Sequence, residues 1–251
     1  MAKHRKKCLE KKEKYLGLVI DGMDQKKTML PHFMRPPKNL KEENFIQLHV
    51  VGALIFNGVM SSRIFINFPN IHNDPNLTIT IIQNIIETWQ GELPPVLYLQ
   101  LDNTSRENKN QVLLAYLNML VQRKIFKKVK LGFLLVGHTH DQIDQMFSRF
   151  SIKLAKKSAF DLPQICVLLE DAYVPKPSIR IVEETYDFRS FAVGAATNMP
   201  SFAHLNDHSF QHQFRIKQVE EQTLMWCKKY SNFKDWLPTK GLLFVLGCES
   251  E

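Results

Sequence analysis

Tyr15-Leu16-Gly17-Leu18-Val19-Ile20-Asp21-Gly22 is the stretch from which the fold can be read. Its apolar run is too short for a helix and stops at an Asp-Gly turn, so it reads as a buried strand. A second run of the same design, Val96-Leu97-Tyr98-Leu99-Gln100-Leu101, follows Pro94-Pro95 and stops at Asp102. In open α/β sheets ligands bind at the carboxyl ends of strands, so an acid at that position is a candidate for chemistry.

Outward from these two runs, the elements alternate. Phe45 to Phe56 is rich in β-formers and ends at Asn57-Gly58, a strong hairpin signal, which makes Val59 to Phe68 its partner strand. Asn76 to Gln90 has mixed propensities, but the spacing of Ile81, Ile82, Ile85, Ile86 and Trp89 and the following Gly91 favour a helix. Asn108 to Lys124 shows the clearest helical stripe, through Val112, Leu113, Tyr116, Leu117, Leu120 and Val121. Val129 to Val136 reads as a strand. Asp141 to Lys157 reads as a helix with Ile143, Met146, Phe147, Phe150 and Leu154 facing the core, started by a Thr139/Gln142 capping box. The order strand, strand, strand, helix, strand, helix, strand, helix predicts a mixed sheet of five strands with helices packed on it. Residues 1–14 are a basic, helical or disordered lead-in, residues 15–159 the core, and residues 160–251 a smaller, irregular α+β extension.

Bulk properties narrow the function. The 251 residues carry a net charge of +8, which favours a polyanionic partner. Cys8, Cys166, Cys227 and Cys248 are scattered without metal spacing and read as reduced thiols. Neither a membrane span nor a signal peptide is evident, so nucleus or cytoplasm is the expected location. Trp89, Trp226 and Trp236 read as core residues.

The acids form the main candidate site. Asp21 and Asp102 end strands, while Asp141 and Asp144 lie in the first turns of the last core helix, on one face at i, i+3 spacing. If the first and fourth strands are neighbours and this helix crosses behind them, these acids converge. Clustered carboxylates repel unless a hard cation neutralises them, and oxygen ligands suit Mg²⁺ or Mn²⁺. A two-metal site for in-line attack on phosphorus is the chemistry expected, with Asp21 bridging and Asp102 and the helix acid on either side. Asn103, His138 and His140 could support such ligands from behind. Arg106 and Lys109, just after Asp102, and Arg149, Lys153, Lys156 and Lys157, on the polar face of the last helix, are candidates for phosphate contact, as are the basic residues Arg123 to Lys130.

Asp21, Asp102 and Asp144, each on its element in this order, resemble the catalytic set of the RNase H-like superfamily, and within it the DDE/DDD transposases and retroviral-type integrases. Leu18-Val-Ile-Asp-Gly-Met-Asp24, Leu101-Asp-Asn103 and Gly137-His-Thr-His-Asp-Gln-Ile-Asp144 also look like an uncharacterised domain family of transposon-derived eukaryotic proteins, and Gln211-His-Gln-Phe-Arg215 extends that likeness. The resemblance implies an RNase H-like fold and a metal-dependent nuclease or polynucleotidyl transferase acting on DNA, active or domesticated, with room for a homo-oligomer. Two departures stand out: only a short basic segment precedes the first strand, and the third acid is Asp rather than Glu. A catalytically silent nucleic-acid-binding protein is the first alternative. The second is a calcineurin-like metallophosphoesterase, suggested by Gly137-His-Thr-His140 but lacking that fold's other motifs.

Overall fold

The structure is a computed structural model that describes residues 2–133, 142–191, 211–220, 222–230 and 233–238. The chain runs α1 (Ala2–Glu10), β1 (Tyr15–Gly22), β2 (Met29–Leu30), β3 (Ile46–Gln47), β4 (His49–Asn57), β5 (Val59–Asn67), α2 (Pro75–Glu87), β6 (Val96–Leu101) and α3 (Gln111–Gln122). It continues through β7 (Lys128–Phe133), α4 (Gln142–Leu154), α5 (Leu162–Glu170), β8 (Ser178–Val182), β9 (Gln213–Val219), β10 (Gln222–Lys228) and β11 (Leu237–Pro238). The fold is mixed α/β, built on a nine-stranded sheet of order β11-β10-β9-β7-β6-β1-β4-β5-β8; β2 and β3 pair separately.

The two Asp-terminated runs are neighbours. β1 pairs in parallel with β6 from Tyr15↔Val96 to Ile20↔Leu101, and in antiparallel with β4 on its other side. β4 and β5 form the expected hairpin, with Gly58 at φ +71° where a side chain would be strained. β7 continues the parallel run beside β6.

The sheet exceeds the five strands expected from sequence. β8 joins β5 on one edge, while β9, β10 and β11 extend the other edge beyond β7. These strands come from the stretch that reads as an irregular extension. They are polar on one face, so their apolar alternation is weak, and β8 and β9 pair with β5 and β7, which are distant in the chain. The Phe45–Phe56 run also divides, because Ile46–Gln47 pairs with β2 while His49 begins β4.

Helices cover both faces. α2 and α3 pack against Leu16, Leu18 and Ile20 of β1, Leu97, Leu99 and Leu101 of β6, and Val129 and Leu131 of β7. α4 and α5 build a second cluster with Val19, Val50, Leu54, Ile64 and Ile66 on the opposite face. Strand alternation sorts the residues: even positions of β1 face α2 and α3, odd positions face α4. α2 starts with an Asp74 cap and Pro75 at its first turn, and α3 with an Asn110 cap. α1 is helical and ordered, burying Cys8 against β1 and β4.

Candidate functional site

The register that pairs Ile20 with Leu101 sets the next residues, Asp21 and Asp102, side by side. Adjacent strands are about 4.8 Å apart, so the two carboxylates belong to one neighbourhood at the C-terminal edge of the sheet. Both line a small cavity of about 20 Å³, together with His49, Asn73, Asp74, Glu107 and Asn108. That volume suits one water-sized occupant. A much larger cavity, about 490 Å³ between α2 and residues 180–187, shares none of these side chains.

Asp102 is held through one oxygen. Its Oδ1 accepts from Thr104 Oγ1 at 2.8 Å and from Asn108 Nδ2, while Thr78 Oγ1 of α2 donates to Asn108 Oδ1 at 2.8 Å. Oδ2 takes no hydrogen bond among the described residues. The carboxylate is thus oriented from behind, with one oxygen left over. Asp21 Oδ1 accepts from the Gly22 amide at 2.9 Å. Asp74 caps α2, accepting from the amides of Asn76 and Leu77.

Negative charge accumulates here. The Glu107 carboxyl is pushed above its ordinary range by burial and then by the charge of Asp102; Arg106 opposes this, and Asp74 adds a smaller push. The Asn73 Oδ1 atom, at the cavity wall, is buried without a hydrogen-bond partner, as is Asn103 Oδ1 beside Asp102. Unpartnered acceptor oxygens next to gathered carboxylates are the donor chemistry that a hard divalent cation takes. Among the described residues, however, no three His, Cys, Asp or Glu side chains come close enough together to hold a metal ion.

His49 supplies a different kind of group. It is 9% exposed, and burial lowers its pKa, so the ring is neutral at physiological pH. The Asn67 side-chain amide donates to the carbonyls of Phe68 and Ile71, which turns its Oδ1 toward His49 Nδ1 at 3.1 Å. The network assigns the proton to Nδ1 and leaves Nε2 as an acceptor. Nε2 lies 3.5 Å from where a β-carbon at Gly22 would sit, beside Asp21.

The other predicted residues are placed as follows. Asp144 is half-buried in the first turn of α4, which crosses the face opposite α2. Met146 and Phe147 of that helix press on Gly52, the antiparallel partner of Asp21. Asp144 does not line the cavity that holds Asp21 and Asp102. Asp141, His138, His140 and Thr139 lie outside the described residues. Lys109 is 4% exposed, with its ammonium 5.6 Å from the Phe133 ring centre, a poor position for phosphate contact. Arg106, Arg149, Lys156 and Lys157 are exposed and Lys153 half-buried.

The sequence reading missed Asp74, Glu107 and His49. Asp74-Pro75 carries a helix-start signature that could have drawn attention to the first; the others show no local signal. It also misplaced two indoles. Trp226 and Trp236 are half-buried around the Arg215 guanidinium rather than in the core, whereas Trp89 does pack against it.

No described helix is long and apolar enough to cross a membrane. No curated protein matches the chain. The N. crassa QDE-2 AGO MID-PIWI domains are similar at 11% identity and a TM-score of 0.28, over 62% of this chain and 44% of that one. Residues 38–233, well over half of the chain, match the family described as Domain of unknown function (DUF7869), and the chain belongs to that family.

Proposed function

We propose that this member of the DUF7869 family is a metal-dependent nuclease or polynucleotidyl transferase of RNase H-like, transposase or integrase type, acting on DNA and transposon-derived. The observation that carries the reading is the register that aligns Asp21 with Asp102 at the C-terminal edge of β1 and β6. The arrangement around it supports the same reading. An antiparallel β5-β4-β1 meander is continued on the far side of β1 by the parallel strands β6 and β7, with α4 opposite α2 and α3.

Asp21 and Asp102 would hold Mg²⁺ or Mn²⁺, with Asp144 or Asp141 as the further acid; bound ions of this kind activate a nucleophilic oxygen and stabilise the leaving one. The protein's own part is to orient and to receive protons. Thr104 and the Thr78–Asn108 pair fix the Asp102 carboxylate. Glu107 and Asp74 add negative charge that a cation offsets. The free side of the neutral His49 ring accepts a hydrogen bond from water or a hydroxyl.

The test is cleavage of labelled single- and double-stranded DNA by the full chain, with Mg²⁺ and with Mn²⁺. Nicking or strand transfer is expected, and Asp102→Asn should abolish it while the circular dichroism spectrum is kept. Undiminished cleavage by that variant ends the proposal. A second reading, a silent DNA-binding protein, is favoured by the three hydrogen bonds on Asp102 Oδ1, which suit a turn cap as well as a ligand. It requires salt-sensitive binding and no cleavage with either metal.

A further inference from the structure

One face of the sheet has no helix on it beyond β6 among the described residues. The apolar cluster built by α4 and α5 takes no residue from β7, β9, β10 or β11. The reverse side of those strands packs against α3 through Val129, Leu131, Phe214, Ile216 and Met225. α1 borders this face: His4 stacks on Tyr98 with ring centres 4.1 Å apart, and Lys7 lies close enough to Lys128 and Lys130 to lower the pKa of both.

The part of this face that no described helix covers is organised. Cross-strand pairing sets Lys130 beside Arg215 and Arg215 beside Trp226 in one row, and Lys128 beside Lys217 in the next. The Arg215 guanidinium lies 4.7 Å from the Trp226 ring centre and 4.5 Å from that of Trp236, and the Lys217 ammonium 5.6 Å from Trp226. Arg215 Nε is buried without a hydrogen-bond partner. Among the described residues Lys128, Lys130, Arg215 and Lys217 form no ion pair. Burial, and then Lys128, Lys7, Arg215 and Lys228, bring the Lys130 pKa down to about 8. Like charges directly opposite each other weaken a sheet, and no acid among the described residues pairs with these.

We propose that this face of β7, β9 and β10 is a platform for a single-stranded nucleic acid, which rests on the reading above only in taking a polynucleotide as the substrate. Phosphates match the lysine rows. The indole rings and the guanidinium plane offer stacking surfaces to unpaired bases, which a duplex keeps hidden. An acidic peptide would satisfy the cations but leave the rings unused. Tyr98, at the start of the Lys130 row, lies on β6 itself, about 13 Å along the strand from Asp102. A strand on the platform therefore leads toward the acids.

The experiment is fluorescence anisotropy of the full chain with labelled oligo-dT and oligo-U of about 12 nucleotides, in EDTA and across a salt series. Binding that quenches tryptophan emission is expected, tighter than for a duplex of equal length. Lys130→Gln with Lys217→Gln should weaken it about tenfold and reduce the salt slope by about 1.4. Trp226→Ala should weaken oligomer binding but not heparin binding, and Trp226→Phe should restore it. Lys130 and Lys217 are half-buried but outside the apolar core, so their Gln variants keep the test valid if Trp226→Ala does not fold. Unchanged affinity of the lysine variant overturns the platform, as does equal binding of the duplex or equal competition by polyglutamate. Asp102→Asn separates the two proposals: intact binding without cleavage upholds both, whereas cleavage by the lysine variant with intact binding removes the platform alone.

Discussion

Two clusters of like charge share one sheet, and they are built on different principles. At the C-terminal edge of β1 and β6, the acids are individually tied: Asp102 to Thr104 and Asn108, Asp74 to the amides of α2, Asp21 to its own turn. Across β7 and β9, Lys128, Lys130, Arg215 and Lys217 are set in rows by the ladder, Arg215 and Lys217 against indole rings, with no ion pair among the described residues. Oriented carboxylates serve something small whose position matters to a fraction of an ångström. Rows of lysine and arginine serve something long that can slide by a unit and bind equally well. The contrast suits a centre for chemistry beside a surface for holding.

The largest effect should come from Asp102→Asn. Losing one ligand oxygen's charge should cost several kcal/mol of transition-state stabilisation, about a thousandfold in cleavage rate, while oligonucleotide binding in EDTA stays put. If binding fell as well, the two regions would not be separable.

Gly52→Ala tests how the acid edge is assembled. A β-carbon there would meet Met146 Cε at 2.5 Å and Phe147 Cζ at 3.0 Å, so the Met146 chain and the Phe147 ring must give way. Urea unfolding should show a loss of about 1–3 kcal/mol, and Mn²⁺ affinity should drop with it while platform binding is spared.

A smaller effect concerns pH. The Lys130 ammonium, lowered to about 8, is charged below that pH and neutral above it. Oligonucleotide binding should weaken a fewfold as pH rises through about 8 in the absence of metal, and Lys130→Arg should remove that dependence. Bound phosphate favours the charged form, so the midpoint measured in the complex should lie higher.

The smallest effect sets the acids against the fold. Because the Glu107 carboxyl is pushed up by burial and by Asp102, its ionisation works against folding, a cost that appears as pH rises through the carboxylate range. Glu107→Gln should therefore stabilise the metal-free protein by about 0.5 kcal/mol in thermal unfolding and flatten that pH dependence. A destabilised variant would mean that Glu107 has a partner role that the charge argument omits.

The sequence made part of this visible, for local reasons. β1 and β6 announce themselves as apolar runs stopped by Asp, and α3 and α4 by a stripe at helical spacing, because those features depend on residues a few positions apart. The neighbouring of Asp21 and Asp102 was readable only as a condition on strand order, which the β1–β6 pairing meets. What stayed hidden depends on partners far along the chain. His49 gains its role from Asn67 across a hairpin, and Glu107 from a turn that folds back beneath α2. β9 alternates Arg215 and Lys217 with Phe214 and Ile216, a pattern readable as a strand only once β7 is known to lie beside it. Trp226 looks like a core residue by type, but its position opposite Arg215 assigns it to the other face.

β7 belongs to both regions at once. It lies against β6, whose end carries Asp102, and against β9, which carries Arg215. The proposed platform and the acid edge are thus parts of one sheet, and hydrogen-bond spacing sets their separation the way teeth set the pitch of a rack. A strand seized on the lysine rows would meet the carboxylates at a constant stand-off, so the lengths of released fragments would record the geometry of the ladder rather than the sequence being cut.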